Sequence, residues 1–339
     1  MTTQDIQYNP KDFKSAQLVR WCPGCGDHAV LNSLHKAMTE IGVAPHNTAV
    51  ISGIGCSSRL PYYMNTYGFH TIHGRGAAIA AGVKVANPEL SVWLSTGDGD
   101  CLAIGGNHFI HVVRRNVDIN ILLMNNKIYG LTKGQYSPTS NRGFISKSSP
   151  YGTVEDPFIP AELTIGARGR FFARAIDMDL KNTPEIMVAA AKHKGTSVVE
   201  VLLNCVIFND GIYDDIVNRE FRTEKTIYLR HGEKMIFGKN NDKGIVLDGF
   251  TLKTVTVGQD AYTLDDILIH DAHANDPALH LKLSLMDGIS LPVALGVIRD
   301  VEAEVYDAEL EKQIADMQAK NPIRTLRDFL MKGEVWEIK

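Results

Sequence analysis

The sequence predicts an α/β fold built on a doubly wound, mostly parallel sheet, with a C-terminal extension. Three observations predict it. Short apolar, β-branched runs alternate with segments of helical spacing. Each run ends in a cluster of Gly, Asp, Asn or Cys. The alternation then weakens beyond about residue 212. Residues 1–215 therefore read as one ligand-binding domain, and 216–339 as an extension that packs on the core, on a bound group or on a partner subunit.

In chain order, residues 1–20 are a polar lead-in. Ala29 to Ile41 has apolar residues at helical spacing, and Gly42 stops it. "TAVISGIGC", 48–56, reads as a buried strand entering a tight loop. "GAAIAAGVKVA", 76–86, is a helix of small residues able to lie close on a sheet. "SVWLSTGDGD", 91–100, is a strand entering a Gly/Asp loop, and Ile104 to Arg115 is helix. "DINILLMNN", 118–126, is a third strand, followed by a Gly/Pro/Ser-rich loop from Tyr129 to about Pro150. Pro184 to Lys194 is helix, and "TSVVEVLLNCVIFND", 196–210, is a fourth strand. Farther on, "SLPVALGVI" is strand-like and Ala308 to Lys332 has helical character. Parallel sheets covered on both faces bind ligands outside the carboxyl ends of their strands. Every Gly/Asp/Asn/Cys cluster falls at such an end, so one site collects them.

Composition narrows the function. The chain has 339 residues, 44% hydrophobic and 22% charged, with net charge −4 and no long basic run. Nucleic acid is an unfavoured partner on that balance. No apolar stretch approaches the ~20 residues that span a bilayer, and the polar N-terminus lacks the apolar core of a signal peptide. A cytoplasmic location is expected, with no membrane partner. Five cysteines argue for free thiols or metal ligands over a disulfide framework.

The loop after the second long strand sets the chemistry. Asp98 lies in "GDGD", and Asn126 follows it by 28 positions, at the end of the next strand. One βαβ unit separates them, so both exits open on the same side of the sheet. A carboxylate, a side-chain amide and a loop carbonyl at one point suit a hard cation such as Mg²⁺, which shares its ligands with phosphates. Glycines let backbone N–H groups approach those phosphates. A solvated Asp/Gly turn is the simpler reading of GDG alone. The paired "NN" argues against it.

At GDGD…NN the sequence resembles the thiamine diphosphate enzymes, and the sheet is then their cofactor-binding fold. The resemblance implies that Asp98 and Asn126 bind Mg²⁺ by side chain and Ile128 by its carbonyl. Gly99, Asp100, Gly130 and Leu131 would contact the cofactor. "NNKIYGLTKGQYSPTS" more specifically resembles the β (thiamine-binding) subunit of the 2-oxoacid:ferredoxin oxidoreductases. That family holds a [4Fe–4S] cluster by four cysteines, and the matching positions are Cys22 and Cys25 of "WCPGCGD", Cys56 of "GIGCSSR" and Cys205 of "LLNCVIFND". Four thiolates are what a cubane needs, one per iron. Zinc held by four cysteines and a redox dithiol are the other readings of the CxxC. Cys101 is left over, as a small buried thiol. Ile54, Gly55, Cys56 and Ser57 match a loop that also touches the cofactor, and His73 matches a position near the diphosphate, with His70 a weaker candidate.

The implied reaction is oxidative decarboxylation of a 2-oxoacid to its acyl-coenzyme A and CO2, with electrons leaving through the cluster to ferredoxin, or the reverse carboxylation. 2-Oxoglutarate is favoured over pyruvate or broad specificity. A non-redox thiamine carboligase or decarboxylase, and a non-catalytic iron–sulfur subunit, are the alternatives. Lys133 is the candidate for the substrate's C1 carboxylate. Arg59 is a second cation that either meets a dicarboxylic substrate or braces the cluster loop. The family's thiamine site takes a glutamate from a pyrimidine-binding domain on a separate α subunit, which implies an αβ pair, doubled to (αβ)2.

Overall fold

The computed structural model describes residues 7–259, 262–320, 323, 325–336 and 338. Among them the strands are β1 (Thr48–Ser52), β2 (Tyr67–His70), β3 (Ser91–Gly97), β4 (Asn120–Asn125), β5 (Phe171–Ile176), β6 (Ser197–Leu202), β7 (Thr226–Leu229), β8 (Ile236–Phe237), β9 (Lys243–Asp248), β10 (Thr251–Thr256) and β11 (Val293–Asp300). The main sheet has the order β2-β1-β3-β4-β6-β5-β11-β7, and β10-β9-β8 form a small second sheet. Neighbours from β2 through β5 are all parallel. β11 and β7 run the other way, β11 lying antiparallel to β5 and parallel to β7.

The period-2 alternation of strands divides the core in two. In β3, Val92 and Leu94 join the layer under helices 76–86 and 106–115, while Trp93 joins the layer under helices 27–41 and 182–192. The helix Asp27–Ile41 ends as expected: Gly42 takes φ 74° and its N–H closes on the carbonyl of Met38. From β1 the chain goes outward to β2 and then returns to lay β3 on the other side. That reversal opens a crevice at the carboxyl ends of β1 and β3, where a doubly wound sheet places its ligand.

Three strands of the main sheet, β2, β5 and β7, escape the sequence reading. β2 is a four-residue edge strand with every residue exposed, so no apolar run marks it. β5 carries Arg174 in its middle. The charge is tolerated because Glu200 lies beside it on β6 in register, with Nε 2.7 Å from Oε2. β7 and β11 lie beyond residue 215, so the expected boundary between domain and extension does not fall at a break in the sheet. The "SLPVALGVI" segment supplies β11, which covers the ladder edge that β5 would otherwise expose. Of the helix expected over 308–332, Tyr306–Lys320 and Leu326–Leu330 are observed, and 321, 322 and 324 lie outside the described residues, as do residues 1–6 of the lead-in. Helix 306–320 starts against Asn116 and Asp118, at the amino ends of the strands, where the N–H of Asp118 donates to Asp307.

Candidate active site

A cavity of about 560 Å³ opens at the carboxyl ends of β1, β3 and β4. It gathers Ile54, Gly55, Cys56, Ser57, His73, Asp98, Gly99, Asp100, Asn126, Ile128, Gly130 and Leu131, twelve of the residues singled out in the sequence. Three loops build it. Gly55 at φ 139° turns the loop after β1 in a backbone conformation that L side chains rarely adopt. At Gly99 an added Cβ would stand 2.2 Å from the Tyr129 ring, so the GDGD loop and the NNKIYG loop close on each other only because that residue has none. The Tyr129 hydroxyl then donates to the Gly99 carbonyl at 3.0 Å.

Asp98 and Asp100 are both buried but differ in role. Oδ1 of Asp100 accepts from the N–H of Ile54 (3.0 Å), the N–H of Gly74 (2.7 Å) and the His73 ring (2.7 Å), and Oδ2 accepts from Thr96 (2.8 Å). Asp100 therefore ties three loops together. Asp98 accepts from the hydroxyls of Ser137 and Thr139, both on Oδ2 at 2.5 Å. Burial pushes the Asp98 carboxyl above its ordinary range, opposed by those two hydroxyls. A cation at this carboxylate would reverse that shift. Asn126 turns its own loop by accepting the Ile128 N–H at 3.2 Å. Carboxylate, amide and the Ile128 backbone thus line one space with glycines around it. This oxygen donor set fits Mg²⁺, and the volume accommodates a diphosphate cofactor.

The four cysteines named in the sequence are free and lie on loops around the same mouth. An added Cβ on Gly130 would stand 3.5 Å from the sulfur of Cys205 and 3.8 Å from that of Cys56. These two thiols and the cofactor loop therefore meet at one glycine. Burial, then the charge of Asp27, raise the Cys56 thiol to about 11, and Cys205 and Cys22 add to the rise. Burial and Asp27 likewise hold the Cys25 thiol up, with Cys56 contributing. Cys22 and Cys25 close a turn (Cys25 N–H to Cys22 carbonyl, 3.1 Å), and the Trp21 indole anchors the Cys56 carbonyl at 2.7 Å. Protonated thiols grouped this way release their protons when a metal binds. Cys101 is buried, as expected.

Six candidate residues do not line the cavity: Cys22, Cys25 and Cys205, which join Cys56 in the thiol group, and Lys133, Arg59 and His70. Lys133 is exposed, at φ 77° in the turn between Gly130 and Gln135. Arg59 lines a separate groove with Arg20, Tyr62 and Tyr63, and donates to the Arg20 carbonyl at 3.0 Å. His70 is bonded to the Ser58 carbonyl. The sequence reading missed Asp27, which lines the cavity and accepts from the Cys25 thiol at 3.3 Å. Burial raises its carboxyl to about 6, with Asp177 adding to the rise. Its place next to the CxxC in "WCPGCGD" was the available signal. Ser137 and Thr139 were missed as well, although "SPTS" is dense in hydroxyls.

Residues 53–201 match the family described as thiamine pyrophosphate enzyme, C-terminal TPP binding domain. The chain is 45% identical to the "2-oxoglutarate oxidoreductase subunit KorB" of Mycobacterium tuberculosis, over 99% of this chain and 90% of that one. It is 46% identical to the "2-oxoglutarate synthase subunit KorB" of Methanothermobacter thermautotrophicus, over 63% and 76%. Among solved structures it is similar to a 2-oxoglutarate:ferredoxin oxidoreductase from Magnetococcus marinus with 2-oxoglutarate, coenzyme A and succinyl-CoA bound, at TM-score 0.77 and 30% identity, covering 98% of each chain. Among the described residues no helix is long and apolar enough to cross a membrane. Site geometry and near-full-length similarity agree, and the chain belongs to the 2-oxoacid:ferredoxin oxidoreductases as one of their β subunits.

Proposed function

We propose that the chain is the thiamine-binding β subunit of a 2-oxoglutarate:ferredoxin oxidoreductase, which interconverts 2-oxoglutarate plus coenzyme A with succinyl-coenzyme A plus CO2. The observation that carries this reading is the meeting of the two candidate sites at Gly130, where the cofactor loop touches Cys56 and Cys205. A decarboxylase that keeps its electrons has no use for thiols there. Near-full-length similarity to a 2-oxoglutarate oxidoreductase subunit supports the substrate.

Thiamine diphosphate, when bound, supplies the carbanion and electron sink for decarboxylation, and a [4Fe–4S] cluster supplies the one-electron outlet to ferredoxin. The protein's part is binding and orientation. Asp98, Asn126 and the Ile128 carbonyl hold Mg²⁺ against the diphosphate. Gly99, Gly130 and Leu131 shape the pocket around the cofactor, and Ile54, Gly55 and Ser57 form its opposite wall. Asp100 fixes His73 beside the cofactor by the 2.7 Å bond. Cys22, Cys25, Cys56 and Cys205 hold the cluster. Lys133, on the rim turn, takes the substrate's C1 carboxylate as a compact positive charge. Arg59 braces the cluster loop, since its guanidinium is engaged by Arg20 outside the cavity.

The pyrimidine-binding domain comes from an α subunit, which also contributes to the coenzyme A site, in an (αβ)2 assembly working in the cytoplasm. The test is co-purification with that partner under argon, followed by ferredoxin or viologen reduction over a panel of 2-oxoacids with coenzyme A. Fastest reduction with 2-oxoglutarate, dependent on coenzyme A and thiamine diphosphate, is expected. Preference for pyruvate would overturn the substrate, and reduction by no 2-oxoacid would overturn the function.

A further inference from the structure

We infer that Ser137 and Thr139 are positioning residues for the metal: their hydroxyls occupy Oδ2 of Asp98, so that Oδ1 alone is presented to Mg²⁺. The inference rests on Asp98 and Asn126 being the magnesium ligands.

Ser137 and Thr139 are 2% exposed and Ser140 is 4% exposed. Hydroxyl-rich loop residues at such burial are uncommon unless they are bonded. Here the loop grips both metal-bearing segments. The two hydroxyls lie 2.5 Å from Oδ2 of Asp98, and no side chain among the described residues donates to Oδ1. Ser140 donates to the Lys127 carbonyl at 2.7 Å, between Asn126 and Ile128. The Ser137 N–H donates back to Ser140 at 2.8 Å, which closes the loop on itself. Lys127 itself holds φ 54°, a conformation that needs such support.

Thr139 has one proton and two acceptors near it, Asp98 at 2.5 Å and Oδ1 of Asn125 at 2.9 Å. The nearer, charged oxygen takes it. Asn125 is in turn oriented by donating to Glu200 at 2.8 Å, and Glu200 is held by Arg174 at 2.7 Å. With the Thr139 proton on Asp98, the bonds from Arg174 and Glu200 end at Asn125, whose Oδ1 accepts the Lys127 N–H at 3.3 Å and so steadies the metal loop from the sheet side.

The consequence is chemical. A carboxylate free at both oxygens binds Ca²⁺ in bidentate fashion readily, whereas Mg²⁺ demands near-octahedral single-oxygen ligation. Saturating Oδ2 enforces the second mode and fixes the rotamer. Ligand-supporting bonds of this kind are worth roughly 10–100-fold in metal affinity.

The test uses the anaerobically purified αβ complex with Ser137→Ala, Thr139→Val and Thr139→Ser. Mg²⁺ and Ca²⁺ dissociation constants are measured by titration at saturating thiamine diphosphate, together with iron content and the melting temperature of the metal-free complex. Expected are Mg²⁺ affinities about 10–100-fold weaker for Ser137→Ala and Thr139→Val, a shift of preference toward Ca²⁺, near-normal behaviour of Thr139→Ser, and unchanged iron. Should Thr139→Val fail to fold, Ser137→Ala gives the same readout. Unchanged Mg²⁺ affinity and Mg²⁺/Ca²⁺ ratio in folded variants would overturn the inference, as would a lowered melting temperature without any change in metal binding. Failure of the unmutated complex to bind Mg²⁺ and thiamine diphosphate would instead overturn the underlying ligand assignment.

Discussion

On one side of Gly130, Asp98 and Asp100 together take six hydrogen bonds from groups that the fold holds in place. On the other side, among the described residues, the thiols of Cys22, Cys56 and Cys205 have no hydrogen-bond partner, and that of Cys25 has only Asp27. The oxygen half is organised by the protein before anything binds. The sulfur half sits on short loops, with burial and Asp27 raising the thiols of Cys25 and Cys56, and metal binding would supply the order that the protein's own bonds do not. The two halves touch, yet they have different sources of stability and should fail separately.

The largest effect that would break this separation is at Asp98. Asp98→Ala removes the only carboxylate of the proposed magnesium set, and activity should fall by about a thousandfold or more. Thiamine diphosphate should be absent from the purified αβ complex while iron stays at the unmutated level. Loss of iron together with thiamine would show that the halves are not independently built.

Cys205→Ser probes the other side. Iron content should fall by more than half, and thiamine diphosphate affinity should stay within about twofold, because the 203–209 loop reaches the metal loop through Asn209, whose side-chain N–H donates to the Asn126 carbonyl at 2.9 Å, and this does not involve the sulfur. Unchanged iron would remove Cys205 from the ligand set.

Chelating the iron should sharpen the contrast at the level of local stability. Hydrogen exchange is expected to speed up around residues 22–26, 55–57 and 204–208, with 97–100 and 125–140 remaining protected. Uniform deprotection would contradict a preorganised oxygen half.

The smallest effect is a control far from both. His270 is 1% exposed and donates from Nε2 to the Val297 carbonyl at 2.8 Å, and burial lowers its pKa to about 4. Between its unfolded value near 6.5 and pH 4 the unfolded chain binds the proton first, so acid favours unfolding. Stability should fall by at most about 3 kcal/mol across that window and His270→Gln should flatten the fall. Iron and thiamine content at pH 7 should not change.

Sequence and structure agree best where chemistry is written in residue types that folding seldom places together by chance. The GDGD…NN pair and the four cysteines are of that kind, and the structure brings their loops to one mouth. What stayed hidden is what tertiary contact alone creates. Arg174 interrupts the apolar run of β5, and nothing local announces that Glu200 will lie beside it. "SLPVALGVI" reads as strand-like, but that it pairs with β5 in the main sheet is not something a pass along the chain reveals. Ser137 and Thr139 read as an ordinary polar loop until Asp98, some 40 positions earlier, is found beneath them. Arg59 and Lys133 are long, mobile cations near a motif, and proximity in sequence did not place either of them in the cavity wall.

The most direct test is a single-turnover experiment on the αβ complex under argon. 2-Oxoglutarate is mixed with the thiamine-loaded complex, and the cluster is followed by visible bleaching and electron paramagnetic resonance. The predicted result is one-electron reduction of the cluster that requires thiamine diphosphate and is lost in Asp98→Ala. Release of CO2 with the cluster left oxidised would contradict electron transfer across Gly130, and with it the account of two sites acting as one.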